Sequence, residues 1–138
     1  MASYDETLRR ITLQADASLA VYTGPPGIPG STDPNYGKQF TFVKITGDHT
    51  VGLATAAADV IVGVLQNKPQ RVGEAATVAV GGISLVNVAA ALTFGQQVAS
   101  NATGQGILWS TGTVTGLVVR GGGGVAGALV PVLLRLGS

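Results

Sequence analysis

From Lys38 onward the chain is cut into short apolar runs by turn-forming residues, and this punctuation most limits what it can fold into. The runs are Gln39 to Thr46, Val60 to Gln66, Ala75 to Val80, Ile83 to Val88, Gln97 to Ala99, Ile107 to Ser110, Gly116 to Arg120 and Ala128 to Leu136. Between them stand Gly47-Asp48, Asn67-Lys68-Pro69, Gly81-Gly82, Asn101 to Gly104 and Gly121 to Gly124, all good turn formers. Short runs at such spacing predict an all-β fold, a small barrel or sandwich-like domain. Val60 to Leu65 is apolar throughout, which suits a strand buried on both faces. Ala54 to Asp59 and Ala89 to Leu92 fit either a single helical turn or an alanine-rich connector. Pro131 lies in the last run, so that strand is expected to begin there or to lie at a sheet edge, because proline cannot donate to a ladder.

The second half carries a weak echo of the first. Gly63 and Val72 recur at the same spacing as Gly116 and Val125, each pair enclosing a strand end and a turn before an apolar strand. Two copies of one strand-loop-strand unit would give this pattern, and so would chance in a sequence so rich in small residues.

Ahead of Lys38 the organisation differs. Apolar side chains occupy every odd position from Ile11 to Val21, a period of two that predicts a strand with one apolar face. A helix competes, since Ser3-x-x-Glu6 resembles a capping box with Leu8, Ile11 and Ala15 on one face, but the alternation is the longer signal. Gly24 to Gly37 then packs four prolines and four glycines into fourteen residues, which excludes helix and central strand. The expected division is therefore residues 1–37, an extended N-terminal arm with a Pro/Gly-rich connector, and residues 38–138, a β-rich domain. A one-faced strand on a connector leaves ladder groups and an apolar stripe uncovered, and strand addition to a neighbour would satisfy both. Tyr4, Arg9, Arg10, Ile11, Leu13, Leu19, Val21, Tyr22 and Tyr36 are the candidate contacts of this arm. Phe40, Phe42 and Trp109 are candidate core or subunit-interface anchors.

Composition narrows the function. Charged residues make up 11% of the chain, against roughly 25% in ordinary soluble domains, so the surface is poorly defended against association. A formal net charge of +1 offers no footprint for a phosphate backbone, and seven aromatics are too few for a base-stacking platform, so nucleic acid is not an expected partner. The most apolar stretch, Val125 to Leu134, is too short to span a bilayer, and the N-terminal residues do not read as a signal peptide. The cysteine count is zero, which removes disulfides, thiolate metal sites and cysteine nucleophiles.

Catalytic constellations are equally hard to assemble. His49, the only histidine, lies in a turn, and no serine has the Gly-x-Ser-x-Gly setting of a nucleophile elbow. The acids are Asp5, Glu6, Asp16, Asp33, Asp48, Asp59 and Glu74, and none follows residue 74. No metal-ligand spacing is present, and Gly121 to Gly124 lacks the Lys-Ser/Thr and the helix of a phosphate loop. The expectation is a non-enzymatic protein without cofactor or metal, whose business is interaction. An enzyme would need a carboxylate cluster around Asp48, Asp59 and Glu74.

Four segments carry a resemblance. Phe42-Val-Lys44, Ala58 to Pro69, Gly73 to Gly82 and Leu92 to Gly104 together resemble the capsid decoration, or cement, proteins of tailed bacteriophages. The likeness covers about residues 40 to 136, and Gly63-Val-Leu-Gln-Asn-Lys-Pro69 followed by an alternating Ala/Val strand is its most specific part. The resemblance implies a structural protein that binds the outer surface of a phage head as homotrimers at three-fold and quasi-three-fold positions. Its partners would be the major capsid protein and further copies of itself. The alternative kept beside it is another virion surface component, such as a tail, fibre or host-glycan-binding adhesion module.

Overall fold

The computed structural model describes residues 8–20, 38–122 and 126–136. Ten strands and no helix occur among these residues: β1 Arg9–Ala15, β2 Phe42–Gly47, β3 Thr50–Leu53, β4 Ile61–Leu65, β5 Ala75–Gly81, β6 Ile83–Val88, β7 Gln97–Ser100, β8 Gly106–Leu108, β9 Gly116–Val118 and β10 Ala128–Leu134. They close into two five-stranded barrels, ordered β1-β3-β2-β4-β5 and β10-β6-β8-β7-β9. The all-β expectation holds, and the single domain foreseen after Lys38 is a pair of barrels to which β1 also belongs.

The two barrels are the same unit twice. In each, the first strand runs parallel to the third (β1 to β3, β6 to β8), and every other pairing is antiparallel. Registers correspond as well: Val43 lies opposite Leu53 and Gly63, and Val98 opposite Leu108 and Gly116. The turn entering the second strand is repeated atom for atom. The Thr41 amide donates to the Lys38 carbonyl and the Gln96 amide to the Thr93 carbonyl, both at 3.2 Å. The Phe40 amide donates to Leu65 (2.6 Å) and the Gly95 amide to Val118 (2.8 Å), with both donors left-handed, at φ 66° and 80°. The Gly63/Gly116 half of the sequence echo therefore marks equivalent positions of the two barrels, whereas Val125 lies outside the described residues. Gly63 and Gly116 survive in both copies for a steric reason. A Cβ on Gly63 would fall on the Ala79 carbonyl oxygen, and one on Gly116 on that of Leu133.

β1 completes the first barrel. It pairs with β5 from Arg9 to Gln14 and with β3 at Gln14 and Ala15. Ala15 and Leu19 join Val43, Val51, Leu65, Ala76 and Val78 in that barrel's interior. The alternating strand is real over Arg9–Ala15, but residues 9–20 are no detached arm, because β1 pairs with β5 and β3 and Leu13, Ala15 and Leu19 pack on the first core, while Ile11 stays exposed. The connector over residues 21–37 lies outside the described residues.

A second core joins the barrels. Phe42, Ala54, Ile61, Val64 and Ala79, on the outer side of the first barrel, pack into one cluster with Val86, Val98, Val130 and Val132 of the second. Backbone bonds cross the same boundary: the Phe42 amide donates to Gly104 (2.8 Å), that of Asn87 to Phe40 (2.8 Å) and that of Thr113 to Ala57 (2.7 Å). Pro131 departs from expectation. It sits inside β10, which is paired on both sides, opposite Leu85 of β6. The ladder with β9 covers only Val132 to Leu134, so the missing N–H falls where that ladder has ended, and the Pro131 carbonyl still accepts from the Val119 amide. Residues 54–59 and 89–92 contain no helical turn.

Candidate interaction surface

Among the described residues, three carboxylates hold loops: Asp16, Asp59 and Glu74. Asp59 accepts from the Thr55 amide (2.8 Å), the Ala56 amide (3.0 Å) and Lys44 Nζ (3.0 Å). The Thr55 amide, chiefly, with help from Lys44 and Ala56, holds its carboxyl below the usual range against some opposing burial. At Asp16 burial is the largest influence and opposes the charge, but hydrogen bonds from the Ser18 and Thr46 hydroxyls and from the amides of Ser18 and Leu19 together outweigh it and lower the pKa. Glu74 accepts from the Gln70 amide at 2.6 Å, and the Asp48 carboxylate pairs with its exposed neighbour His49. Asp48, Asp59 and Glu74 serve separate loops, and among the described residues no three acidic or histidine side chains are grouped as metal ligands.

These two lowered carboxyl groups make stability depend on pH. A group whose pKa falls on folding contributes fully above its unfolded value of about 4, and the contribution disappears as pH drops through the folded value. The melting temperature is therefore expected to fall between about pH 5 and pH 2, and the D16N/D59N double variant to show a flatter profile by calorimetry. An unchanged slope in that variant would assign acid sensitivity to other groups.

What the second barrel offers to the outside is a sheet surface without charge. No Asp, Glu, Lys, Arg or His occurs from residue 75 to residue 119, nor in β10, so no strand of the second barrel carries a charge. On its outer face Leu117 lies opposite Leu133, and Leu133 opposite Ile83, forming an apolar row across β9, β10 and β6. Gln97 extends the row from β7, and the Trp109 amide donates to the Gln97 carbonyl at its end. Pro131 and Leu85 form the adjacent row. Leu85, Leu129, Leu133 and Val119 are each at least 40% exposed and Trp109 is 37% exposed. A solvated sheet face ordinarily alternates apolar-in with polar-out, and β6 and β10 are largely apolar on both sides.

The residues singled out in the sequence are scattered over different surroundings. Arg9, Arg10 and Ile11 are exposed on β1, while Leu13 is half-buried against the first core. Leu19, expected at a partner contact, is fully buried in the first barrel and has no surface to offer. Tyr4, Val21, Tyr22 and Tyr36 lie outside the described residues. Phe42 is fully buried between the barrels, with Phe40 packed against the same core. Trp109 stands at the surface, its indole N–H donating to the Gly112 carbonyl at 3.0 Å. The β6/β9/β10 face was missed, although the uncharged run from residue 75 to 119 pointed to it.

No family model matches the chain, and no curated protein matches it. Among solved structures the chain is similar to the N base of head fiber gp8.5 of bacteriophage phi29, with a TM-score of 0.63 and 13% sequence identity. The likeness covers 94% of this chain and 95% of that one. At that identity it is a likeness of fold.

Proposed function

We propose that the chain is a structural protein of a phage head, bound as a homotrimer to the outer surface of the shell and reinforcing it by contacts with the major capsid protein. The observation that carries this reading is the near end-to-end fold likeness to the base of a phage head fiber, alongside the cement-protein resemblance of residues 40 to 136. The uncharged face supports it: a surface with so little polar defence is suited to being covered. Weak contacts repeated in a trimer add as avidity, so each subunit can bind modestly while the assembly holds firmly. Such a protein carries out no reaction and needs no cofactor. A second reading, the base of a projecting fibre, is favoured by the name of the structural neighbour.

The test is to mix the purified chain with empty expanded heads that lack it and to measure co-sedimentation. Saturable binding in multiples of three copies is expected, and heads so loaded should survive heating that ruptures bare ones. No binding at micromolar concentration would overturn the proposal. Binding without any gain in head stability would favour the fibre-base reading.

A further inference from the structure

Duplication allows each surface of one barrel to be compared with its counterpart on the other. The face by which the first barrel docks on the second is made by Phe42, Ala54, Ile61, Val64 and Ala79, each at most 5% exposed. Strand registers place their counterparts on the second barrel at Gln97, Trp109, Val114, Leu117 and Leu133. Four of these five are apolar, yet none is buried. The receiving surface can be compared in the same way. The second barrel receives the first through Ser84, Asn87, Gly104 and Thr113. Their counterparts on the first barrel are Ile11, Gln14, His49 and Val60, and all four are exposed. His49 matches Gly104 in backbone as well, with φ 50° and 74°. The side chains of both halves of an interface already formed once inside the chain are therefore left exposed, although the Gln14 amide and His49 carbonyl bond each other (2.8 Å) where their counterparts at Asn87 and Gly104 bond across the barrels.

We infer that the Trp109/Leu117/Leu133 face of one chain docks on the Ile11/His49/Val60 surface of the first barrel of a second copy, repeating between chains the contact made within one. A contact of this kind is heterologous, and it forms a ring when its rotation closes. The inference rests on the homotrimer of the proposed function and identifies the surfaces that build it. It also accounts for the absence of charge in the strands of the second barrel, because a charge within a buried contact is costly unless it is paired. Ile11 and Val60, two of the exposed apolar residues of the first barrel, lie on the receiving side.

Within the chain, a Cβ on Gly104 would come within 2.6 Å of the Leu53 side chain, close enough that the leucine methyl would have to turn aside. The side chain that replaces Gly104 in a repeated contact therefore lies directly against the counterpart leucine once that leucine shifts. The counterpart of that contact joins His49 of one chain to Leu108 of the next. Because the native chain has no cysteine, the H49C/L108C variant can be treated with a short bis-maleimide and examined on a denaturing gel. Covalent trimers are expected from the double variant, and little beyond monomer from H49C or L108C alone. In sedimentation, L117D/L133D should weaken self-association by about 100-fold or more, since interface-core residues dominate binding. A double variant that stays monomeric on the gel, or single variants that cross-link as well as the double, would overturn the inference, as would a wild-type chain monomeric at all concentrations. A trimer surviving L117D/L133D would sink this interface while leaving the trimer itself standing. Head binding, measured separately by co-sedimentation, decides the functional proposal. If L117D/L133D does not fold, the cross-linking result decides alone.

Discussion

Deletion of residues 1–20 is expected to unfold the first barrel rather than release a free domain. β1 is hydrogen-bonded on both sides, to β5 over six residues and to β3 over two, so its loss opens the closed sheet along two edges. Leu19 and Ala15 leave the interior together. Emptying one buried leucine site alone costs about 3–5 kcal/mol, against a total stability of roughly 5–15 kcal/mol for a domain of ordinary size. The unpaired ladder groups of β3 and β5 add to that cost. Amide NMR spectra should lose the dispersed resonances of β2 to β5, and the deleted chain should bind a hydrophobic dye. A dispersed spectrum and a cooperative urea transition after deletion would restore the picture of a dispensable arm. Loss of head binding in such a deletion would then report unfolding, and is no measure of contact by Arg9, Arg10 or Ile11.

The sequence pattern located strands well because each is a local property. Ile83 to Val88 matches β6 residue for residue, and seven other runs overlap the strands they foretold. β3 was missed because Thr50–Leu53 is four residues long, contains Gly52 and follows directly on the Asp48-His49 turn. Partnership is a different kind of information. The alternation from Ile11 gives a strand one apolar face but cannot say which strand it pairs with, and its main partner, β5, lies more than sixty residues downstream in sequence. Duplication left only a faint echo because equivalent positions have diverged in chemistry. Phe42 corresponds to Gln97, Ala54 to Trp109 and Thr77 to Pro131, each pair sharing one equivalent backbone hydrogen bond under different side chains. The backbone-critical glycines were retained, so Gly63 and Gly116 were what remained visible. The candidate surface was legible as composition, an uncharged run, but not as a face, since a face requires the registers of β6, β9 and β10.

That divergence provides a contrast between two equivalent sites. Phe42 is fully buried between the barrels, its amide donating to Gly104 and its carbonyl accepting from Ala54. Truncation to alanine removes most of a large side chain from a packed boundary, and F42A should lower the unfolding free energy by about 3–5 kcal/mol. Gln97 occupies the same position of the second barrel, exposed, and its carbonyl accepts from Trp109 in the same manner. Q97A keeps that backbone bond and uncovers no core, so its effect should lie within about 0.5 kcal/mol. Urea titrations of the two variants at one protein concentration read the difference directly. Because Phe42 belongs to a cluster that continues into the second barrel, F42A should shift the whole unfolding curve as a single transition. A curve that splits, with half the signal unfolding at the wild-type midpoint, would mean that the barrels fold independently, and the intrachain interface would then be too weak a template for one between chains.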